Sequence, residues 1–470
     1  MLFNSLIFTV FLPVVFILYW VCAPRHRNYF LLLASYYFYY SYSPVFLCLL
    51  IATSSFDYWC ASRIYSRPHS KKLYLFYSLL SNLGILAAFK YSAFFYNSFS
   101  GTFELITHNQ YNYIEALVVP AGLSFYTFQS ISYTIDVYRG KYPPNDKLHE
   151  FLLFVSFFPH MVAGPIVRYN ALMPQLKLVT FLKNIQWEKF VTLVAWGYFK
   201  KLVIADNLNL LVTPVFDNVG NYSGIELLIA GFLFVIQVYC DFSGYSDIAT
   251  GVARLFNIDL GINWRRPLLS TSLHEFWKRN HISLTTWFRD YLYIGLGGNR
   301  VGYKRWLFNI FLVFVLSGLW HGANLTFILW GTMHGVVYII EILLRKKWPE
   351  LSMPTVPGWI YLVSFHTLSL LAFRANNISD LGTIYKSIFT LKPGYSDISH
   401  LTGSHDTMFI LCMLMTVVIL FLKELNEEFA VVNHFPRLYR TAKPAVYISI
   451  VIAIFILGNF SANAFIYFQF

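Results

Sequence analysis

The chain has 470 residues, of which 57% are hydrophobic and only 12% are charged. A water-soluble domain carries about a quarter charged residues, so this composition excludes an ordinary soluble enzyme. The formal net charge is +12 at pH 7, and aromatic residues make up 20% of the chain. These values are typical of an integral membrane protein with basic loops and aromatic belts at the lipid headgroups.

Apolar segments recur along the chain and predict an all-α membrane protein. Several approach the length of one bilayer crossing, and together they predict about 11 or 12 transmembrane helices, accompanied by short re-entrant or interfacial helices. The clearest segments are residues 6–22, 73–89, 116–135, 227–238, 307–316, 327–344, 408–422 and 446–460. No internal repeat or soluble linker separates them, so we expect a single membrane domain over residues 1–470.

Basic residues alternate between the loops and predict the orientation. Arg25–Arg27, Arg63–Lys72 and Arg139–Lys147 are basic stretches separated by pairs of apolar segments, whereas residues 101–115 contain two Glu and no Lys or Arg. Basic loops face the cytoplasm, so both termini are expected outside. No Lys or Arg precedes the first apolar segment, which therefore reads as a span and not as a secretory signal.

A polar, basic insertion at about 261–305 interrupts the spans. Residues 263–305 hold eight basic and two acidic residues, a net charge of +6. Apolar residues recur through it at helical spacing, which predicts a short amphipathic helix half-buried at the cytoplasmic face. The charge would bind anionic lipid headgroups or an anionic ligand. Nucleic acid is a poor candidate, because the charge adjoins the spans instead of a soluble module.

Two histidines stand out in the second half of the chain. His321 lies in SGLWHGAN between two apolar runs, and His281 lies in EFWKRNHISLTTW within the insertion. An ionisable residue at membrane depth costs free energy and is by default a functional candidate. The alternatives are a core imidazole bonded to a carbonyl for His321 and an interfacial histidine for His281.

Further polar residues form weaker candidates. DFSGYSD places Asp241, Tyr245 and Asp247 after an apolar run, where they would either solvate a helix end or form a polar network, and we favour the network. FPHMVAGP places His160 in a stretch broken by Pro and Gly, as occurs where backbone lines a cavity. The five cysteines show no metal-ligand spacing, and no metal is predicted.

The longer motifs resemble the membrane-bound O-acyltransferase family, in particular its bacterial branch of alginate O-acetylation proteins. EFWKRNHISLTTWFRDYLYIGLGGNR and SGLWHGAN carry the resemblance, and VPAGLSFYTFQSISYTIDVYRG, FPHMVAGPIVR and DFSGYSDIATG match in the same order. The similarity covers essentially the whole chain. Asn280 departs from the branch, where many members have an aromatic residue before the histidine.

The resemblance implies a catalytic role for His321 and a second site position at His281. It implies a thioester co-substrate, acyl-CoA or an acyl carrier, and no bound cofactor. The resemblance further implies two groups of site residues. The donor would contact Arg265, Arg266, Lys278, Arg279, Trp277 and Trp287. The pocket or polar network would include Asp241, Tyr245, Asp247, His160, Trp320 and Asn324.

The resemblance also implies a setting for the protein. It points to the bacterial cytoplasmic membrane and to an exported SGNH-type transferase that completes O-acetylation of an exported polysaccharide. The alternatives are transfer of D-alanyl or another acyl group to a cell-envelope polymer, a polytopic transporter, or a scaffold for a secreted enzyme. A transporter would carry acids or histidines on several spans, and in the sequence these are scarce apart from Asp241 and Asp247.

Overall fold

The computed structural model describes residues 1–98, 117–348, 354–390, 406–430 and 436–461. Within these ranges the regular structure is helical and contains no strand, which confirms the all-α fold class. The acidic loop at 101–115 lies outside the described residues. Contacts divide the chain into two compact units, residues 1–190 with 249–261 and residues 191–248 with 262–470. The single domain predicted over 1–470 stays a prediction.

The helices before the insertion differ widely in length. They are α1 (Leu6–Val21), α2 (Arg27–Tyr40), α3 (Pro44–Ser66), α4 (Lys71–Leu86), α5 (Leu123–Tyr138), α6 (Leu148–Ser156), α7 (Phe158–Met161), α8 (Tyr169–Lys177), α9 (Trp187–Tyr198), α10 (Asp206–Asp217) and α11 (Gly224–Arg254). The remaining helices are α12 (Leu273–Arg279), α13 (Ile282–Trp287), α14 (Tyr303–His321), α15 (Leu325–Lys347), α16 (Thr355–Arg374), α17 (Ile378–Phe389), α18 (Thr407–Phe429) and α19 (Pro436–Leu457).

Six helical stretches in the described part of the chain are long and apolar enough to cross a membrane. They are Pro44–Ser66, Pro68–Ser98, Gly224–Arg254, Leu325–Lys347, Thr355–Arg374 and Thr407–Phe429. Two shorter apolar helices are Leu6–Val21 and Lys443–Leu457. The chain is therefore a multi-pass membrane protein. The number six covers only long apolar helices among the described residues, so the predicted total of about 11 or 12 spans stays a prediction.

The first unit is held together by buried polar contacts between its helices. The Asp57 carboxylate of α3 accepts hydrogen bonds from Ser78 Oγ at 2.6 Å and from Asn82 Nδ2 at 2.8 Å, both on α4. All three side chains are buried. A buried carboxylate is tolerated when its lone pairs are satisfied in this way. The contact therefore joins α3 to α4.

The broken stretch around His160 also lies in the first unit. Helix α7 contains only four residues, and His160 is buried within it. Gly164 follows, and a Cβ added there would lie 2.4 Å from the Cα of His160. Only glycine permits so close a return of the backbone. The break that the sequence predicts is present.

The basic insertion belongs to the second unit and is helical in two pieces. Helices α12 and α13 are separated by Asn280 and His281, and a π-helical turn at Phe288–Tyr293 follows. The backbone N–H groups of Leu273 and His274 at the start of α12 donate to the carboxylate of Glu341 on α15 at 2.7 and 3.1 Å. A carboxylate at a helix N-terminus satisfies otherwise unpaired N–H groups. The insertion is thereby fixed to a membrane-spanning helix.

Candidate functional site

His321 is the last residue of α14, at a sharp break between two helices. Helix α15 begins four residues later, and the Asn324 side chain caps it by accepting from the Thr326 N–H at 3.2 Å. Between them, a Cβ added to Gly322 would lie 2.1 Å from the ring of Phe327. The small residues of SGLWHGAN therefore permit a tight turn that leaves the imidazole at a helix end.

Glycines also allow α14 and α15 to touch along their length. A Cβ on Gly318 would lie 2.2 Å from the carbonyl oxygen of Phe327, and a Cβ on Gly331 would lie 2.4 Å from that of Phe314. Backbones can approach this closely only where no side chain intervenes, as in small-residue contacts between membrane helices. Because His321 follows Gly318 by three residues, this contact sets its position.

His281 is held in a left-handed backbone conformation, with φ of 45°. Asn263 fixes it from a neighbouring segment. The Asn263 carbonyl accepts from the N–H of Ile282 at 2.9 Å, and its side-chain oxygen accepts from the N–H of Ser283 at 3.0 Å. Such a conformation is rare for residues other than glycine and marks a place where the surrounding structure dictates the backbone.

Aromatic rings surround the imidazole of His281. Its ring centroid lies 4.6 Å from that of Phe242 and 5.6 Å from that of Trp264. The residue is 2% exposed. Burial in these apolar surroundings disfavours the charged ring and lowers the pKa of His281 to about 3. At neutral pH the imidazole is therefore uncharged, with one nitrogen as donor and one as acceptor.

His281 and His321 line the same cavity, whose volume is about 60 Å³. The helix α11 contributes one face of it, with residues at positions i, i+3, i+4 and i+7. All the lining residues belong to the second unit. They are Val235, Val238, Tyr239, Phe242, Trp264, Pro267, Leu268, Trp277, Asn280, His281, Leu284, His321, Trp330, His366, Leu370 and Phe373. The site is thus a small, mainly aromatic chamber with three imidazoles in its wall.

Several predicted site residues contact these histidines or line the chamber. The ring centroid of Trp320 lies 5.0 Å from that of His321 and 6.4 Å from that of His281. Trp277 lines the cavity directly, as does Asn280. Trp287 is buried on α13, and Asn324 serves as the cap of α15. The structure therefore brings Trp277 and Trp320 together with the histidines, whereas Trp287 and Asn324 do not line the cavity.

The predicted donor-binding cations divide into two kinds. Arg266 and Arg279 bond Glu428 on α18, at 2.7 and 2.9 Å, and Arg279 also bonds Glu275 at 2.6 Å. Arg265 and Lys278 are exposed and form no ion pair among the described residues. The paired arginines anchor the insertion to α18, while the exposed pair offers charge to a ligand. Donor binding by these residues stays a prediction.

The acids of DFSGYSD lie in a polar network on α11, as the sequence favours. Lys201, in a π-helical turn at Phe199–Ala205, bonds both Asp241 at 2.5 Å and Asp206 at 2.8 Å. Lys200 bonds Asp247 at 2.7 Å. Tyr245 is buried on the same helix. None of the three predicted residues lines the cavity, so their part in the chemistry stays a prediction.

Sequence reasoning missed other polar residues of the cavity wall. Tyr239 lines the cavity and donates through its hydroxyl to the buried Glu424 of α18. His366 lines it from α16, and Trp330 lies against His321 with ring centroids 5.1 Å apart. The signal for His366 and Glu424 was present, since each is ionisable within an apolar span. In the described residues, no group of three His, Cys, Asp or Glu could hold a metal.

Comparisons with known proteins identify the relatives of this chain. The model of the membrane-bound O-acyltransferase family matches residues 147–379. The chain is 37% identical over 406 residues to the probable alginate O-acetylase AlgI of Pseudomonas aeruginosa. The matched region covers 83% of this chain and 75% of that protein. The chain is 33% identical over 429 residues to the peptidoglycan O-acetyltransferase of Helicobacter pylori, with 83% and 80% covered. It is 28% identical over 249 residues to the teichoic acid D-alanyltransferase of Bacillus subtilis, with 49% and 60% covered.

Membrane-spanning helices and a buried cavity lined by three histidines define a multi-pass membrane protein with an internal site. The similarity over most of the chain identifies its family. This chain belongs to the membrane-bound O-acyltransferases and is an acyltransferase.

Proposed function

We propose that this enzyme takes an acetyl group from a cytoplasmic thioester and passes it across the membrane for O-acetylation of an exported cell-envelope polysaccharide. One observation carries the proposal: His281 and His321, forty residues apart in sequence, line one buried cavity. Imidazole, with an ordinary pKa near 6.5, is the side chain suited to accept and return a proton at neutral pH. His321 is proposed as that base.

The proposed transfer exchanges a thioester for an oxygen ester. The acceptor hydroxyl oxygen forms a bond to the acyl carbon, and the bond from that carbon to sulfur breaks. The hydroxyl proton moves to His321 and from there to the departing thiolate, so the products are an ester and a free thiol. A second route, through an acyl group held covalently on His321, balances in the same way. His281 is proposed to orient the donor or polarise its carbonyl.

The size of the cavity supports a short acyl group. The cavity leaves about 60 Å³ for the centres of water-sized molecules, and one such molecule needs roughly 10–15 Å³ on that measure, so the cavity holds only a few atoms or small molecules. Such a space suits acetyl better than a fatty acyl chain. D-alanyl, the group in the name of the Bacillus subtilis relative, is the competing cargo, and its ammonium would need an acidic partner in the wall. No residue that lines the described cavity is Asp or Glu, and the buried Glu424 accepts a hydrogen bond from the lining Tyr239.

The donor proposed here is acyl-CoA or an acyl carrier protein, both of which are anionic. The exposed Arg265 and Lys278, with the cavity-lining Trp277 and the buried Trp287 nearby in sequence, would gather it. An attractive surface charge raises the local concentration of an oppositely charged ligand. The basic insertion is accordingly placed in the cytoplasm, with both termini outside, in the bacterial cytoplasmic membrane.

The final acceptor is proposed to be a polymer outside the membrane, distinct from the hydroxyl that attacks in the cavity. The relatives are named for alginate, peptidoglycan and teichoic acid, which are all exported polymers. A long glycan does not fit a 60 Å³ chamber. We therefore propose that an exported SGNH-type transferase receives the acyl group and completes the O-acetylation.

Purified protein in lipid nanodiscs, supplied with acetyl-CoA and with water as the acceptor hydroxyl, tests the proposal by release of acetate and the free CoA thiol. We expect release by the wild type and at least a 10³-fold loss in His321→Ala, with unchanged chromatographic behaviour. His274→Ala is the matched control, because His274 bonds Tyr338 at 2.7 Å and does not line the cavity. Release that is equal in wild type and His321→Ala would contradict the proposal, and release only from a D-alanyl thioester would redirect it.

A further inference from the structure

A third histidine, His366, lines the cavity, and neither the family motifs nor the proposed chemistry gives it a role. It lies on α16, four and seven residues before Leu370 and Phe373, which also line the cavity. This spacing places the three side chains on one face of the helix. The His366 side chain therefore faces the same cavity as His321.

The two ring nitrogens of His366 have different surroundings. Nδ1 is buried and has no hydrogen-bond partner among the described residues. Nε2 is not fully buried, and no side chain or backbone carbonyl among the described residues forms a hydrogen bond with it. Because the residue lines the cavity, Nε2 is the nitrogen that a molecule in the chamber can reach.

Its polar neighbours are already engaged with one another. The Ser369 hydroxyl donates to the carbonyl oxygen of His366 at 3.0 Å and bonds His334 Nε2 at 3.1 Å. The His366 ring otherwise packs against aromatic rings. Its centroid lies 4.6 Å from that of Phe276 and 5.9 Å from that of His334. A structural histidine in a core would use these polar groups itself. His334 does so, and His366 does not.

The position of the proton follows from this arrangement. A neutral imidazole carries one N–H donor and one bare acceptor nitrogen. Buried N–H groups without an acceptor are rarer in proteins than buried acceptors without a donor. The bare nitrogen is therefore Nδ1, and the N–H group is Nε2, directed at the cavity.

We propose that His366 is a further catalytic residue, which donates a hydrogen bond from Nε2 to the acyl carbonyl oxygen of the thioester. The proposal rests on the proposed function. When the acceptor oxygen bonds to the acyl carbon, the carbonyl electron pair moves onto this oxygen, and it returns when the carbon–sulfur bond breaks. A fixed donor in an apolar chamber stabilises that transient charge more than the same donor in water. The proton of His366 stays on Nε2 throughout, so His321 alone transfers a proton.

The test compares variants by the kcat and KM of thiol release from acetyl-CoA in nanodiscs. His366→Phe keeps a ring among the aromatic neighbours and removes the donor, and we expect kcat to fall about 10²–10³-fold with KM within threefold. His366→Gln supplies an N–H of similar reach and should recover at least a tenth of wild-type kcat. His334→Phe is the matched control, a buried neighbour outside the cavity wall, and should keep wild-type kcat. If His366→Phe does not fold, His366→Met against His366→Gln makes the same comparison.

The outcomes separate the two proposals. A wild-type kcat in His366→Phe, or a raised KM with kcat unchanged, would overturn the role of His366 while the proposed function stands on the loss in His321→Ala. Equal losses in His366→Phe and His334→Phe would also overturn it, because they would indicate general damage to the aromatic core. Absence of thiol release by the wild type would overturn the proposed function and, with it, this inference.

Discussion

Single residues determine the chemistry of the cavity, and the sequence identified some of them and missed others. His321 and His281 were recognisable because each sits in a long motif. That they line one cavity follows from the turn at Gly322 and the left-handed conformation of His281, which no periodicity indicates. His366 was missed because HTLSLLAF reads as one more apolar span. Its role depends on which side of α16 faces the cavity, and that is a property of packing.

Replacing His281 separates its backbone role from its imidazole. Asn adopts the left-handed conformation more readily than most residues, whereas Ala in that conformation costs about 1–2 kcal/mol. We therefore expect His281→Asn to keep wild-type thermal stability and to lose about 10²-fold in kcat for thiol release, and His281→Ala to lose both. Wild-type kcat in His281→Asn would show that the imidazole is dispensable.

The pH profile gives an independent check on His281. Its pKa is lowered to about 3 by burial, so the ring is neutral in the folded protein at every pH above about 4. Between pH 5 and 9 it neither gains nor loses a proton. We expect the midpoint of the acid limb of kcat against pH to be the same in wild type and His281→Asn. A shift of that midpoint by one pH unit would mean that His281 titrates in the working range.

At the scale of helices, composition predicted which segments are helical, whereas packing determined where each helix begins and ends. The amphipathic pattern of the insertion correctly predicts helix, but it gives no sign of the break at Asn280 and His281. That break depends on Asn263, which lies in a neighbouring segment. The π-helical turn holding Lys200 and Lys201 is likewise invisible to periodicity, because it depends on two acids of α11, the buried Asp241 and the partly exposed Asp247, which pair with the two lysines.

The glycine contact between α14 and α15 predicts that one methyl group added at Gly318 lowers both the stability of the protein and its activity. In Gly318→Ala the new Cβ would lie 2.2 Å from the Phe327 carbonyl, so the helices must separate. We expect a loss of about 1–3 kcal/mol in stability and a larger proportional loss in kcat, because His321 moves with α14. Thermal denaturation and thiol release measure the two effects.

Gly382→Ala is the control for that substitution. Gly382 lies within α17, and a Cβ there meets nothing within 4 Å. Alanine favours helix by about 1 kcal/mol over glycine, so stability should be unchanged or slightly higher. If Gly318→Ala behaved in the same way, close backbone contact would not be what positions His321.

The division of the cations predicts which charges act on the donor. Neutralising the exposed Arg265 and Lys278 with Gln should raise the KM for acetyl-CoA about 3–10-fold at low salt and leave kcat within twofold, because they act on encounter and ground-state binding. The difference should shrink in 0.5 M salt. The matched control is Arg300→Gln with Lys304→Gln, two exposed cations of the same insertion. An equal rise in KM there would indicate a general effect of surface charge.

For the whole molecule, composition predicts a multi-pass membrane protein, since no soluble core explains 57% hydrophobic residues. The number of spans stays a prediction. Residues 151–163 show the difficulty, because this apolar stretch contains the end of α6 and the short helix α7, and hydropathy alone does not distinguish a span from a buried segment. Orientation rests on a different signal, the distribution of Lys and Arg between loops.

That orientation predicts a sidedness of the reaction, which sealed vesicles can measure. If the basic insertion faces the cytoplasm, acetyl-CoA, which does not cross a bilayer, reaches the cavity only from that side. Inverted membrane vesicles containing the wild type should release CoA thiol from added acetyl-CoA, whereas right-side-out vesicles should release it only after permeabilisation. Inverted vesicles with His321→Ala control for other thioesterases. Release by intact right-side-out vesicles but not by intact inverted vesicles would place the insertion, with Arg265 and Lys278, on the outer face and would reverse the predicted topology.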